Sequence, residues 1–183
     1  MKLLIARIIA VSLCLSILAT HVHAQDSTPQ IISPYDSIEI SNARAIGNKQ
    51  TGNVTISIDF KDNYSKPGLF TISPGAFGDF GITDTLGKKY KVYTYSMYQR
   101  MNTGYAAISS VQFGNKKPND FNVMQVSINP GETRTLTLKL NKVNKQTSYI
   151  SEVHVMPEFA LDMVHLNSRS TLMIVRRIKI DWE

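Results

Sequence analysis

From residue 37 onward the chain alternates between apolar and polar positions. The exchange runs through 37–41 (Ile38, Ile40), 53–60 (Val54, Ile56, Ile58, Phe60) and 133–140 (Leu136, Leu138, Leu140). A period of two marks a half-buried β-strand, because successive side chains leave a pleated strand on opposite faces. Shorter runs at 69–73, 80–83, 104–113 and 121–128 read as further strands, and 43–46 extends the first. Over 149–156, Ile150, Glu152 and His154 alternate against Ser151, Val153 and Val155. The last strand, 172–182, changes parity: Met173 and Val175 share one face, while Ile178, Ile180 and Trp182 share the other. A bulge at Arg176-Arg177 reconciles the halves. Residues 158–164 read as one helical turn, and the Gly-rich 74–80 as irregular.

Turn chemistry separates these runs at 47–52 (GNKQTG), 61–68 (KDNYSKPG), 84–87 (DTLG), 115–120 (NKKPND) and 129–132 (NPGE). Gly, Pro, Asn and Asp supply the backbone angles and local hydrogen bonds that turns require. About seven to nine short strands with almost no helix predict an all-β, Ig-like antiparallel β-sandwich. Its interior is expected to hold Val54, Ile56, Ile58, Phe60, Leu136, Leu138, Leu140, Ile178, Ile180 and Trp182. The Cys pair of antibody domains is absent, and the single Trp lies at the end.

The N-terminal segment follows a different pattern. Lys2 and Arg7 precede the apolar run 8–19, and His21-Val22-His23-Ala24 offers a cut after Ala24. This is the layout of a secretory signal peptide over 1–24, and the run is short for a membrane-spanning anchor. Cys14 lies inside the run behind Leu13, which does not fit a lipid-attachment site. Residues 25–35 (polar, with two prolines) read as a flexible leader, and 36–183 as a single β-sandwich domain. The expected location is periplasmic or secreted, with no stable membrane span after signal cleavage.

Composition narrows the chemistry. The chain has 183 residues and 20 Lys+Arg against 14 Asp+Glu. Its one Cys falls in the signal segment, so the mature chain has neither disulfide nor thiol chemistry. No Gly-x-Ser-x-Gly elbow, His-x-x-x-His pair, EF-hand loop, phosphate loop or dinucleotide fingerprint occurs. Gly75, Gly78 and Gly81 recur every three residues in an order that matches neither phosphate motif. His154 reads as a structural histidine and His165 as an exposed one. Asp59, Asp62 and Asn63 sit together as a calcium ion would want them, but a solvated turn explains them better. No catalytic residue, metal ligand or cofactor is expected.

The segment 88–99 is dense in Tyr. Tyr93 and Tyr95 share one face, Tyr90 and Tyr98 the other, with Lys88, Lys89, Lys91 and Arg100 nearby. Tyr is rigid and half polar, so exposed rings suit sugar or protein contact, and the lysines attract anionic polymers. The candidate binding surface is therefore Tyr90, Tyr93, Tyr95, Tyr98, Lys89 and Lys91. Packing in a sandwich face, with lysines guarding an edge strand, is the competing explanation. Asp26-Ser27-Thr28, Asp36-Ser37-Ile38 and Asp84-Thr85-Leu86 match tripeptides that some bacteria O-glycosylate on exported proteins. Export argues against a nucleic-acid partner.

Several stretches in order carry a resemblance: Ile38-x-Ile40, the run 51–58 (TGNVTISI), and the hairpin 82–90 (ITDTLGKKY) with its Asp-x-x-Gly-x-x-Tyr spacing. A Pro-Gly-Glu turn before 133–140 and the final 177–182 (RIKIDW) complete it. The chain resembles small secreted bacterial Ig-like domains of the DUF4352-like group. The resemblance implies a fold and a compartment, and brings no catalytic residues. The expected function is an exported, non-catalytic binding or structural module of the bacterial envelope that contacts a glycan or protein partner. The alternatives are a small glycan-active hydrolase and an accessory subunit of an envelope assembly.

Overall fold

A computed structural model of the protein describes residues 28–33, 36–72, 80–91, 106–119, 123–155, 157–161 and 172–183. The signal peptide expected over 1–24 lies outside them. Among the described residues there are strands and turns and no helix, and the architecture is the expected all-β sandwich of two packed sheets.

The strands are β1 (Gln30–Ile32), β2 (Ile38–Gly47), β3 (Val54–Asp62), β4 (Gly68–Ile72), β5 (Gly81–Asp84) and β6 (Lys89–Lys91), then β7 (Ala106–Phe113), β8 (Met124–Ile128), β9 (Thr133–Leu140), β10 (Tyr149–Val155), β11 (Pro157–Leu161) and β12 (Met173–Trp182). The large sheet has the order β1-β12-β10-β5-β6-β7-β9-β3-β2, and β12 also pairs with β2, which closes it into a ring. Closure comes from a parallel contact of Ile180, Asp181 and Trp182 with Ala45, Ile46 and Gly47. A second, three-stranded sheet has the order β11-β4-β8.

Closing such a sheet requires sharp bends, and bulges supply them. The β2–β3 register shifts between Ser41 and Arg44, with Asn42 at φ 49°. The β7–β9 register shifts between Ile108 and Ser110. In β12, Val175 and Ile178 are both buried with Arg176 and Arg177 between them, and Arg177 sits at φ 61°. The parity break at Arg176-Arg177 is thus a real distortion. Its neighbour β10 breaks with it: Ile150 is buried together with Val153 and Val155. This corrects the uninterrupted alternation expected over 149–156. The β10–β12 pairing runs in one register through both breaks, so a bend in one strand needs a matching bend in the other.

One contiguous buried cluster fills the interior. The rings of Phe60 (β3), Phe70 (β4) and Phe113 (β7) meet edge-to-face at centroid distances of 5.9, 5.2 and 5.8 Å, joining the small sheet to the large one. Nine of the ten expected core residues are buried, and Trp182 is partly exposed. Its ring lies over Gly47, and its indole N–H donates to the Thr147 carbonyl at 2.8 Å. Asp62 occupies an inward position of β3, where a charge is costly. Its carboxylate accepts the N–H groups of Tyr64 (2.8 Å) and Gly68 (3.1 Å), so it fastens the 63–67 loop.

Two expectations change. Part of the segment 25–35, expected to be flexible, is β1: Gln30–Ile32 pairs antiparallel with β12 and packs Ile31 against the core. Within 158–164, expected to turn helically, the described residues continue β11, held by β4 from Pro157↔Ile72 to Leu161↔Gly68. Tertiary pairing overrides local propensity at both places.

Candidate functional site

The β5–β6 hairpin is organised by one buried carboxylate. Asp84 Oδ1 accepts the N–H groups of Leu86 and Lys88, both at 2.9 Å. Its Oδ2 accepts the hydroxyl of Tyr90 at 2.9 Å. Gly87 takes φ 78°, which L-residues resist, and its N–H closes the turn on the Asp84 carbonyl at 3.0 Å. The Asp-x-x-Gly-x-x-Tyr spacing is therefore the formula of a self-bonded turn. Asp folds it, Gly supplies the backbone angle, and Tyr, six residues on, returns to the same carboxylate.

This removes Tyr90 from the expected binding surface. Its ring is fully buried and roofed by the Lys88 ammonium, 5.2 Å from the ring centroid. Burial, the hydrogen bond with Asp84 and the charge of Asp84, in that order, raise the Tyr90 phenol above its ordinary ionisation range. Tyr90 faces inward because its hydroxyl has a buried partner, which satisfies the one polar demand of the ring. Tyr93, Tyr95 and Tyr98 lie outside the described residues. Lys89 and Lys91, on either side of Tyr90, take the outward positions.

They belong to a broad sheet face. Across β1, β12, β10, β5 and β6 the registers align Gln30, Arg176, Glu152, Thr83 and Lys89 in one row. A neighbouring row holds Ile32, Ile174, His154 and Gly81. The opposite face of these strands supplies Ile31, Val175, Val153, Ile82 and Tyr90 to the core. Adjacent strands lie ~4.8 Å apart, so Arg176 and Lys89 stand roughly 14 Å from each other across the face. Lys89, Lys91, Arg176, Arg177 and Lys179 outnumber the carboxylates Glu152 and Asp181 there.

Glu152 is the anionic centre. It accepts from Arg176 Nε at 2.7 Å through Oε2 and pairs with His154 Nε2 through Oε1. Burial alone would raise its carboxyl, but the hydrogen bonds from Arg176 and His154 outweigh that and hold it below the ordinary range. Lys179 pairs with Asp181 at 3.6 Å. Arg177 has no hydrogen-bond or ion-pair partner among the described residues. Opposite it, Ser151 turns its hydroxyl to the carbonyls of Thr83 (2.8 Å) and Asp84 (3.0 Å).

Lys89 and Lys91 belong to the surface expected from sequence, whereas Arg176, Arg177 and Glu152 join it only through the fold. The available signal was the parity break: two adjacent arginines at a bulge leave the core together. His154, expected among apolar residues, is a half-buried member of this outer face. Asp59 and Asp62, weighed as calcium ligands, accept hydrogen bonds from the chain itself. Asp59 receives the Thr135 hydroxyl at 2.6 Å and the Asn42 amide at 3.0 Å. Among the described residues no three His, Cys, Asp or Glu side chains cluster to hold a metal ion.

No protein-family model and no curated protein sequence matches the chain. Among solved structures it is similar to a human "ASH / PapD-like domain" of CEP192, with a TM-score of 0.38 and 7% identity over 83% of this chain and 91% of that one. It is also similar to the CooA pilin subunit from enterotoxigenic Escherichia coli, with a TM-score of 0.35 and 10% identity over 80% of this chain and 97% of that one. A third is the periplasmic chaperone SfaE, with a TM-score of 0.30 and 14% identity over 80% of this chain and 56% of that one. At these TM-scores the similarity assigns no role to any residue here.

Proposed function

We propose that the protein is an exported, non-catalytic binding module of the bacterial envelope, periplasmic or secreted, which meets an anionic partner through the outer face of β12, β10, β5 and β6. In this reading residues 1–24 are a cleaved signal peptide, and the chain from β1 onward folds as one domain. The observation that carries it is the surplus of cations on the outer face of these strands, whose inward side chains, Tyr90 among them, are buried in the core. Rigid elements hold a charge array in fixed register, and such an array steers an oppositely charged polymer to one orientation.

A hydrolytic role finds less support. The carboxylates of Asp59, Asp62 and Asp84 are engaged in holding loops and strands, and Glu152 is paired on both oxygens. The face is open, whereas glycosidase chemistry needs two carboxylates converging on one bond.

The test is affinity of the mature chain for soluble polyanions as a function of salt. We expect measurable binding with a negative slope of log affinity against log salt. Lys89→Glu with Lys91→Glu weakens it, and a matched change at Lys116 and Lys117, on the turn after β7, does not. Absence of binding to every polyanion at low salt refutes the proposal.

A further inference from the structure

Arg177 is anomalous in two respects. Its backbone lies at φ 61°, in the left-handed region where Gly is at ease and a long side chain is strained. Among the described residues its guanidinium has no hydrogen-bond or ion-pair partner. The bulge that bends β12 accounts for the angle but not for an unpartnered Arg at it, and outliers of this type cluster at functional sites.

The surroundings point to a particular ligand. Facing bulges keep Arg176 and Arg177 both out of the core. Arg176 is opposite Glu152 and already holds that carboxylate through Nε. Arg177 is opposite Ser151, whose hydroxyl is occupied by two carbonyls. The second arginine therefore repeats the first without its carboxylate. A planar guanidinium fork matches a carboxylate in two parallel hydrogen bonds. Nearby, Tyr149 pairs with Lys179 in register and is half exposed, so its ring borders the same ground. Gly81 bares the backbone beside His154: a Cβ there would meet only the Tyr90 carbonyl, at 3.8 Å. Tyr149 and Gly81 lie on either side of Arg177, five residues apart along β10 or roughly 17 Å, so the three features suit an extended chain of sugar rings that bear carboxylates.

We propose that Arg177 anchors a carboxylate-recognition site for uronic-acid units of an acidic polysaccharide, built on the facing bulges of β10 and β12. The inference rests on the reading of this face as an anion-binding surface and names the ligand class.

The experiment measures binding of polygalacturonate to the mature chain, wild type and Arg177→Gly, together with thermal melting of both. Arg177→Gly should lose about ten-fold or more in affinity, the size of one charge-assisted hydrogen-bonding group. Its melting temperature should hold or rise, because Gly relieves the strained backbone. A residue kept for the fold shows the opposite pattern, so a lower melting temperature with unchanged affinity overturns the proposal. Unchanged affinity in Arg177→Gly alongside lost affinity in the Lys89→Glu, Lys91→Glu protein overturns the Arg177 site and leaves the charged face standing. Binding of poly-L-glutamate or heparin but not polygalacturonate overturns the ligand class. Failure of the wild type to bind any of the three overturns the face itself.

Discussion

Asp84 and Tyr90 invite a double-mutant cycle. Tyr90→Phe deletes the hydroxyl that donates to Asp84 Oδ2 at 2.9 Å and leaves the ring in place. A hydrogen bond to an ionised, buried acceptor contributes about 1.5–3 kcal/mol, so Tyr90→Phe should cost about 2 kcal/mol. Asp84→Ala strips the acceptor from the Leu86 and Lys88 N–H groups and from the Tyr90 hydroxyl. Of these, the hydroxyl is sealed from water by the ring's complete burial, while the turn amides reach solvent more easily. The expected cost is about 3–4 kcal/mol. Because the two changes share one bond, the double mutant should cost about 1–2 kcal/mol less than their sum. Urea unfolding followed by fluorescence of Trp182 gives all four stabilities. Additivity to within about 0.3 kcal/mol would show that the hydroxyl and carboxylate act independently, and would refute the account of the motif. pH supplies a second arm. The native phenol holds its proton above the range where an unfolded Tyr releases it, near pH 10. The stability tied to Tyr90 is complete below that pH and declines as pH rises past it, because only the unfolded chain is then losing the proton. Tyr90→Phe should flatten this alkaline decline relative to wild type.

Gly47→Ala would bring a Cβ to 2.4 Å from Trp182 Cε3. It should cost about 1–3 kcal/mol through overpacking and shift the emission of the single Trp; an unchanged spectrum and melting point would mean the ring is not seated there. Ile56→Ala, at a fully buried position of β3, should cost about 2–5 kcal/mol, and Thr55→Ala, one residue away on the opposite face, far less; equal costs in urea unfolding would overturn the strand register. The Thr147 hydroxyl is buried and has no hydrogen-bond partner among the described residues. Thr147→Val should therefore be neutral or raise the melting temperature, and a drop of more than about 1 kcal/mol would reveal a hidden partner.

The sandwich was readable because its central strands bury one face each. In β3, five inward positions fall on strict alternation, and only Asp62 among them is polar. The β12 bulge was readable for the same reason, since a break in alternation is visible when both sides of it are apolar. The matching break in β10 was not. Ser151 and Glu152 are both polar and Ile150 is a lone apolar residue before them, so the phase of that end is visible only through its register with β12. The strand β1 escaped notice because three residues show too few alternations to count, and what orders them is the edge of β12. Tyr90 entered the candidate surface because Tyr density carries no information on which ring finds a partner. That depended on Asp84, which reads in sequence as an ordinary turn residue. Arg177 was legible as a position but not as a site, since strain and missing partners are properties of three-dimensional placement.

The ring closure makes β12 a common neighbour of β1 and β2, from the start of the domain, and of β10, from near its end. A chain emerging from its N-terminal side has β1 and β2 in hand long before β12, the strand that joins them to β10. Until then the flanks of β10 and β2 are open and able to pair with other chains. Contacts of such long sequence separation form late and slowly, so assembly ends in a single docking event rather than a gradual accretion. A lesion confined to β12 would accordingly unseat three partners at once. Defects there should surface as aggregation during production more than as lowered stability of whatever folds.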